Sequence, residues 1–211
     1  ATSTLRADDQ IEKLCSKMKV KCFRGSSSNV LKRYYDCAKK FHGDIIVRIT
    51  GDNPLIDPTI VDKAISLLIR KKFDYVSNMI HQSFPIGYLV EVFTFSALEK
   101  AWKESVLPSE REHVTPYIHK NPEKFQISNF ENDIDLSNFR WAVDEKDDLL
   151  FVKKIVSKLN KKPILINDIL NVIKNEPKIF EINLNVNRNA GNEKSTKEDI
   201  EFLKNREKQN E

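Results

Sequence analysis

Two aspartates in this 211-residue sequence follow apolar runs that are typical of buried strands. Asp52 comes shortly after Ile45-Ile46-Val47, and Asp144 directly follows the strand-like residues Phe139 to Val143. In a parallel α/β sheet, ligands bind beyond the carboxyl ends of the strands. Two carboxylates at one such edge could hold Mg²⁺, which prefers oxygen ligands and leaves room for substrate phosphates. Such an ion would polarise a phosphoryl group and neutralise a departing pyrophosphate.

A third polar feature, the loop Arg24 to Asn29, follows a short predicted strand that ends at Phe23. Each of these features also has a plainer interpretation. An aspartate after a strand is often a turn former or a helix cap, and Asp144 precedes a predicted helix. The serine-rich loop could be an ordinary loop with a cap, and a lone histidine such as His113 is more often structural than catalytic. Residue type alone leaves these alternatives open.

Other kinds of site find little support in the sequence. The five glycines are scattered and form neither a dinucleotide-binding fingerprint nor a P-loop. No Ser/His/Asp arrangement indicates a protein nucleophile. The three cysteines lack zinc-site spacing and are expected to be free thiols in a reducing cytoplasm. A net charge of +4, and no apolar run near the ~20 residues of a membrane span, indicate neither nucleic-acid nor membrane binding.

Hydrophobic periodicity predicts alternating strands and helices along most of the chain. The predicted helices cover 8–18, 30–41, a segment capped by Asp57 and opened by Pro58, 96–103, 109–119, 145–159 and 167–174. The predicted strands cover 20–23, 44–50, 75–78, 89–93, 125–129 and 139–143. This alternation indicates an α/β fold with a mostly parallel sheet, and the less regular 75–129 region is interpreted as a small antiparallel insertion. Residues 190–211 are predicted to be a polar tail, with a loosely held helix near 197–206.

Several segments together resemble one enzyme family. They are Phe23-Arg24-Gly25-Ser26, V-L-K-R-Y-Y from Val30, I-V-R-I-T-G-D-N-P-L-I-D from Ile46, Y-V-S-N from Tyr75, V-E-V-F from Val90, R-E-H-V-T-P-Y from Arg111 and R-W-A-V-D from Arg140. With them, residues 1–189 resemble the spore-coat-polysaccharide branch of the cytidylyltransferases, which are relatives of acylneuraminate and deoxy-octulosonate cytidylyltransferases.

The resemblance implies a Rossmann-like domain over residues 1–189 in which a sugar hydroxyl attacks the α-phosphate of CTP and pyrophosphate leaves. It implies that Asp52 and Asp144 are catalytic and carry Mg²⁺. Nucleotide binding is implied for Arg24, Gly25, Ser26, Asn29 and Asp52, and sugar binding for Asn78, Glu91, Arg111, Glu112, His113 and Arg140. The sugar is expected to be acidic, with either Arg111 or Arg140 as the partner of its carboxylate. The resemblance also implies a homodimer and a role in surface polysaccharide synthesis.

Two departures from the family pattern affect these expectations. Leu89 stands where relatives often have an aspartate, which leaves the sugar undefined. The family opens with a strand and a basic triphosphate-binding loop, whereas Ala1 to Thr4 resemble the end of the family's second strand. We therefore expect a sheet without its first strand, exposed apolar helix faces, and a chain that by itself is inactive or severely impaired. The alternatives are a non-catalytic nucleotide- or sugar-binding remnant, an interaction partner of another chain, and a glycosyltransferase-like domain.

Overall fold

The computed structural model describes residues 1–186 and 190–210, with the backbone alone at 190–194 and 209–210. The chain divides into two compact units. The first comprises Ala1–Ile46, Thr94–Phe125 and Asn189–Glu211, and the second comprises Val47–Phe93 and Gln126–Arg188. Within the described residues, no helix is both long enough and apolar enough to cross a membrane.

The first unit consists mainly of helices. A short parallel pair of strands, β1 and β2, joins Thr2 to Arg24 and Ser3 to Gly25 in register. Between and after these strands lie a 3₁₀ turn and six helices. The elements are β1 (Thr2–Ser3), a 3₁₀ turn (Arg6–Asp8), α1 (Asp9–Lys17), β2 (Arg24–Gly25), α2 (Val30–Phe41), α4 (Phe95–Glu104), α5 (Pro108–His113), α6 (Pro116–His119) and α9 (Ala190–Asn210).

The second unit packs helices against a mixed sheet. Its elements are α3 (Pro58–Lys71), β4 (Tyr75–Ser77), β6 (Ile127–Asn129), α7 (Lys146–Lys158), α8 (Ile166–Asn175) and a 3₁₀ turn (Pro177–Asn183). Strands β3 (Ile45–Arg48) and β5 (Glu91–Thr94) run across the unit boundaries in sequence. The sheet order is β3-β5-β4-β6, in which β4 is antiparallel to β5 and parallel to β6. The predicted α/β class with an antiparallel piece in the 75–129 region is confirmed, and the sheet is mixed.

A large apolar cluster forms the core of the second unit. Helix α3 contributes Ile60, Ala64 and Leu68, and Trp141 and Tyr88 meet edge to face with their ring centroids 4.9 Å apart. Helix α3 begins as the sequence predicts, because the Asp57 carboxylate accepts a hydrogen bond from the Thr59 amide and Pro58 occupies the first helical position. This core supports the loops that follow β3 and precede α7.

Several local predictions differ from the structure. The predicted helix 109–119 divides into α5 and α6, because Pro116 has no amide hydrogen and Val114 adopts a positive φ of 76°. Residues 139–143 form no strand; they make one isolated parallel bridge, between Ile86 and Arg140. The short strand expected at 20–23 lies instead at Arg24–Gly25. The break before Pro116 is a local effect, whereas the other two differences concern short segments whose pairing depends on tertiary contacts that local periodicity does not capture.

Helix α1 has an amphipathic sequence but buries none of its side chains among the described residues. Its apolar face carries Ile11 and Leu14, which are 46% and 54% exposed, and Met18, directly after its last residue, is 64% exposed. The three side chains share one face, as their spacing predicts.

The C-terminal residues are more ordered in the structure than the sequence suggests. The predicted tail forms one helix, α9, over Ala190–Asn210, and α9 packs against α5. The predicted domain boundary at residue 189 lies outside the described residues.

Candidate active site

The segments that carry Asp52 and Asp144 lie side by side in the second unit. The Val143 amide donates a hydrogen bond to the Asp52 carbonyl at 2.8 Å. Asp52 itself sits in a tight turn, which the Asn53 amide closes onto the Thr50 carbonyl at 3.2 Å. Because adjacent residues are joined in this way, the two carboxylates belong to one loop cluster. The two segments meet through this backbone hydrogen bond, although Asp144 follows an irregular segment and not the predicted strand.

Both carboxylates are accessible to a ligand. Asp52 is half-buried, and among the described residues its side chain has no hydrogen-bond partner. The Asp144 side chain is 54% exposed and directs one oxygen, Oδ2, to the Arg140 guanidinium in a short contact. The second oxygen of Asp144 and both oxygens of Asp52 are left for other partners. The pair can therefore offer carboxylate oxygens to a cation.

A buried network holds the Asp144 segment in place. Arg140 donates from Nε to Asp148 Oδ1 at 3.0 Å and from Nη2 to Asp148 Oδ2 at 3.1 Å. Asp148 Oδ2 also accepts the amides of Asp144 at 3.1 Å and Glu145 at 3.0 Å. Asn183 donates to Asp148 Oδ1 at 2.8 Å and to the Arg140 carbonyl at 2.9 Å. The backbone of Asp144 and Glu145, just before α7, is thus held by Asp148, which is itself bound to Arg140 and Asn183.

Asp148 is completely buried and still favours its ionised form. Burial alone raises the pKa of this carboxyl, but hydrogen bonds from Arg140, from Asn183 and from the Asp144 and Glu145 amides outweigh it, so the pKa is lowered. Asp148 is therefore a charged partner for Arg140 at neutral pH. Sequence reasoning missed Asp148 and Asn183. The available signal was the position of Asp148 in the first turn of a helix, where carboxylates commonly bind free amides.

Arg140 was predicted to bind the sugar. In the structure its side chain is only 6% exposed and binds Asp148 and Asp144. This position favours a role in orienting Asp144.

A glycine allows the Arg140 segment to pass close to a neighbouring loop. Gly87 has φ of +99°, and a Cβ there would lie 2.4 Å from the Ala142 nitrogen and 2.5 Å from the Trp141 carbonyl carbon. On the adjacent residue, the Ile86 carbonyl accepts the Trp141 amide at 2.6 Å. Only a residue without a side chain fits this contact.

Replacing Gly87 with alanine is expected to lower the free energy of unfolding by roughly 2–4 kcal/mol, from left-handed backbone strain and a backbone clash. The matched control is Gly51→Ala, because a Cβ at Gly51 meets nothing within 4 Å. Urea unfolding followed by circular dichroism would measure both variants. Equal stability of the two would show that the loop passes Gly87 without this constraint.

Two other residues predicted to bind the sugar make hydrogen bonds and ion pairs inside the second unit. Asn78 is fully buried; it donates to the Tyr88 carbonyl and accepts the Val90 amide, both at 2.8 Å. Glu91, 1% exposed, accepts a hydrogen bond from the Tyr75 hydroxyl at 2.8 Å and forms an ion pair with Arg48. These contacts favour supporting roles for both side chains. Arg48, which the sequence reasoning did not select, links the end of β3 to the neighbouring strand β5 through this ion pair.

The predicted nucleotide loop lies in the first unit and makes mainly internal contacts. Arg24 donates to the Ser3 carbonyl at 2.9 Å and the Leu5 carbonyl at 2.8 Å, and pairs with acidic residues of α1. Ser26 Oγ accepts the Asn29 amide at 3.0 Å, and Asn29 caps α2 by accepting the Lys32 amide at 2.9 Å. The alternative interpretation of this loop as a capped turn describes its geometry well.

Gly25 lies in the same loop under a steric constraint of its own. A Cβ at this position would lie 2.9 Å from the Phe23 ring and 3.0 Å from Arg33 Cγ. A side chain here would displace one of these neighbours, so the close packing of the loop depends on the glycine.

The segment Arg111-Glu112-His113 also lies in the first unit, at the C-terminal end of α5. The Arg111 guanidinium stacks over the Trp102 ring at 4.6 Å and donates to the Ser105 carbonyl. Glu112 is exposed. His113 Nε2 lies 2.7 Å from Ser195 Oγ of helix α9. This packing fixes the arginine and the histidine, and it leaves the glutamate facing solvent.

The residues at the loop cluster fit a hard cation better than a soft one. Nowhere among the described residues do three or more His, Cys, Asp or Glu side chains form a ready-made metal cage. Asp52 and Asp144 supply carboxylate oxygens and no thiolate or imidazole. Mg²⁺ is typically held by one or two carboxylates plus waters and substrate phosphates. The donor set is therefore of the kind that Mg²⁺ uses.

Comparison with known proteins gives consistent matches over most of the chain. A family model described as Cytidylyltransferase matches residues 1–192. An uncharacterized protein of Methanocaldococcus jannaschii is 38% identical over 192 residues, which is 90% of this chain and 78% of the relative. The spore coat polysaccharide biosynthesis protein SpsF of Bacillus subtilis is 30% identical over 167 residues, which is 77% of this chain and 68% of SpsF. A cytidylyltransferase structure from Leptospira borgpetersenii has a TM-score of 0.82 and 36% identity, covering 88% of this chain and 77% of that structure.

Proposed function

This chain belongs to the cytidylyltransferase family and is therefore a nucleotidyltransferase; we propose that it transfers CMP from CTP to an acidic sugar and releases pyrophosphate. We further propose that the activated sugar serves surface polysaccharide synthesis. The Bacillus subtilis relative SpsF is a spore coat polysaccharide biosynthesis protein, which supports this proposal.

One observation carries the proposal. The hydrogen bond from the Val143 amide to the Asp52 carbonyl places two carboxylate-bearing loops against each other in the second unit. One of these carboxylates, Asp144, is exposed, and Asp52 is half-buried. An accessible carboxylate pair suits phosphoryl-transfer chemistry, which needs negative charge to hold a cation beside the phosphates.

In the proposed mechanism, a sugar hydroxyl attacks the α-phosphorus of CTP and the bond to pyrophosphate breaks. Asp52 and Asp144 would hold Mg²⁺, which when bound polarises the phosphoryl group and neutralises charge on the leaving pyrophosphate. Arg140 and Asp148 keep Asp144 in one orientation, because Asp148 binds both the guanidinium and the Asp144 amide. The protein would accelerate the reaction by alignment and charge neutralisation, without a covalent intermediate.

The sugar carboxylate would be recognised by a guanidinium, since arginine binds carboxylates in a bidentate manner. Arg140 is already committed to Asp148 and Asp144. Arg111 has one described donor contact, to the Ser105 carbonyl, and its ring stacking on Trp102 leaves the edges of the guanidinium plane available. We propose Arg111 as the residue that binds the carboxylate of the sugar.

Product analysis tests this function. The purified protein is incubated with Mg²⁺, either CTP or UTP, and a panel of acidic and neutral sugars, and the products are identified by mass spectrometry. The expected result is pyrophosphate and a CMP-sugar, formed from CTP with an acidic sugar. Release of a nucleoside phosphate from a nucleotide-sugar donor, without pyrophosphate, would instead indicate a glycosyltransferase and contradict the proposal.

A further inference from the structure

The C-terminal helix α9 attaches to α5 at two points that are matched in spacing. Asp199 binds Ser109 near the start of α5, and Ser195 binds His113 at its end. Ser109 and His113 are four residues apart on α5, and Ser195 and Asp199 are four residues apart on α9. The two contact residues of each helix therefore lie on one helical face. Because the order is reversed, the two helices run antiparallel along this contact.

The first attachment supplies a cap that α5 lacks locally. The residue at the N-cap position is Leu107, whose side chain cannot accept a hydrogen bond. Glu110 turns back to accept the Val106 amide at 2.8 Å and the Leu107 amide at 3.0 Å. Asp199 then accepts the Ser109 amide at 2.9 Å and the Ser109 hydroxyl at 2.6 Å. A carboxylate at this position accepts hydrogen bonds from free amides and is stabilised by the partial positive charge at the N-terminus of the helix.

The second attachment fixes a residue of the R-E-H segment. His113 Nε2 lies 2.7 Å from Ser195 Oγ, and Ser195 is only 7% exposed. A buried hydroxyl in contact with one ring nitrogen restricts the rotation of the imidazole. The orientation of His113 is thus set by a residue 82 positions later in the chain.

We propose that α9 is a brace that holds α5 in its binding geometry, with Asp199 and Ser195 as positioning residues for the Arg111–His113 segment. Both residues come after residue 192, where the match to the family model ends. The residues of α9 that form the brace therefore lie beyond the segment that the family model matches. Its effect on the sugar rests on the proposed function, whereas its effect on α5 stands on the contacts alone.

Hydrogen exchange tests the effect on α5 without any assumption about activity. In the variant Asp199→Asn with Ser195→Ala, the amides of residues 109–114 are expected to exchange roughly fivefold faster or more, as for a lost helix cap. The matched control is Glu201→Gln, which also removes one carboxylate from α9, at an exposed position. Amides of α7 serve as the internal reference. Unchanged exchange in α5 would overturn the brace.

Steady-state kinetics test the effect on the sugar. The double variant is expected to raise KM for the sugar roughly fivefold and to leave KM for CTP and kcat near their original values. A general loss of structure would change all three parameters together, and a rise in activity would indicate an inhibitory helix; either result would overturn the positioning role. If α5 exchanges faster but no cytidylyl transfer occurs in the unaltered protein, the proposed function fails and the brace remains.

Should the double variant fail to fold, Asp199→Glu is the second variant. It keeps the carboxylate but lengthens the side chain by one methylene. A partial increase in exchange and in KM for the sugar is expected, in the same direction as for the double variant. Values equal to those of the unaltered protein in both measurements would contradict a cap that depends on the geometry of Asp199.

Discussion

Replacing Asp144 with alanine is expected to lower kcat for cytidylyl transfer by about a thousandfold, with Asp52→Ala giving a loss of similar size. The reason is that the proposed site contains two carboxylates, so each supplies half of the protein's charge at the cation. Asp144 is exposed to a ligand and fixed through its amide by Asp148, which makes its carboxylate a well-oriented donor. Initial rates of pyrophosphate release at saturating CTP and sugar would measure the effect.

The matched control for this prediction is Asp147→Ala. Asp147 is an exposed acidic residue in the first turn of α7, three positions after Asp144. Its replacement removes the same charge from the same neighbourhood and should change kcat by less than about threefold. If Asp144→Ala and Asp147→Ala retain similar activity, charge at this loop rather than a specific ligand site would account for the reaction, and the assignment of Asp144 would be wrong.

Replacing Asp148 with alanine is expected to lower the free energy of unfolding by about 3–5 kcal/mol. Asp148 is completely buried, and its removal leaves the Arg140 guanidinium, itself 6% exposed, without its main counterion. The amides of Asp144 and Glu145 and the side chain of Asn183 also lose their acceptor. Urea unfolding at neutral pH, followed by circular dichroism, would measure the loss.

A second variant separates the buried charge from the volume of the side chain. Exchanging both partners, Asp148→Leu with Arg140→Met, removes the unpaired charge and should recover much of the stability. The double variant should nevertheless show reduced cytidylyl transfer, because Asp144 is no longer oriented. A loss of less than about 1 kcal/mol in Asp148→Ala would show that the network contributes little to stability. Full activity in the double variant would show that Asp144 needs no such support.

The fold class could be predicted from the sequence, because it depends on local patterns. Alternating apolar segments indicate an α/β fold. The backbone of Asp52, which follows β3, meets the backbone of Val143, although the strand predicted before Asp144 does not form. The cap at Asp57 could also be predicted, from two adjacent residues. What could be predicted in these cases depended on residues close together in the chain.

The roles of Arg140 and helix α9 could not be predicted in this way. The resemblance implied that Arg140 binds the sugar, whereas in the structure it pairs with Asp148. The loop between these two residues turns back and is held by Asn183, which lies 43 positions after Arg140. Helix α9 has a polar sequence typical of a tail, yet Asp199 and Ser109 meet across 90 positions. Such contacts depend on tertiary packing, to which a local window is insensitive.

Calorimetric titration of CTP, in the presence and in the absence of Mg²⁺, tests the proposed Asp52–Asp144 site most directly. The expected result is CTP binding that requires Mg²⁺ in the unaltered protein and is lost in both Asp52→Ala and Asp144→Ala, while Asp147→Ala binds as before. CTP binding of equal affinity with and without Mg²⁺, or undiminished in the two variants, would contradict the site.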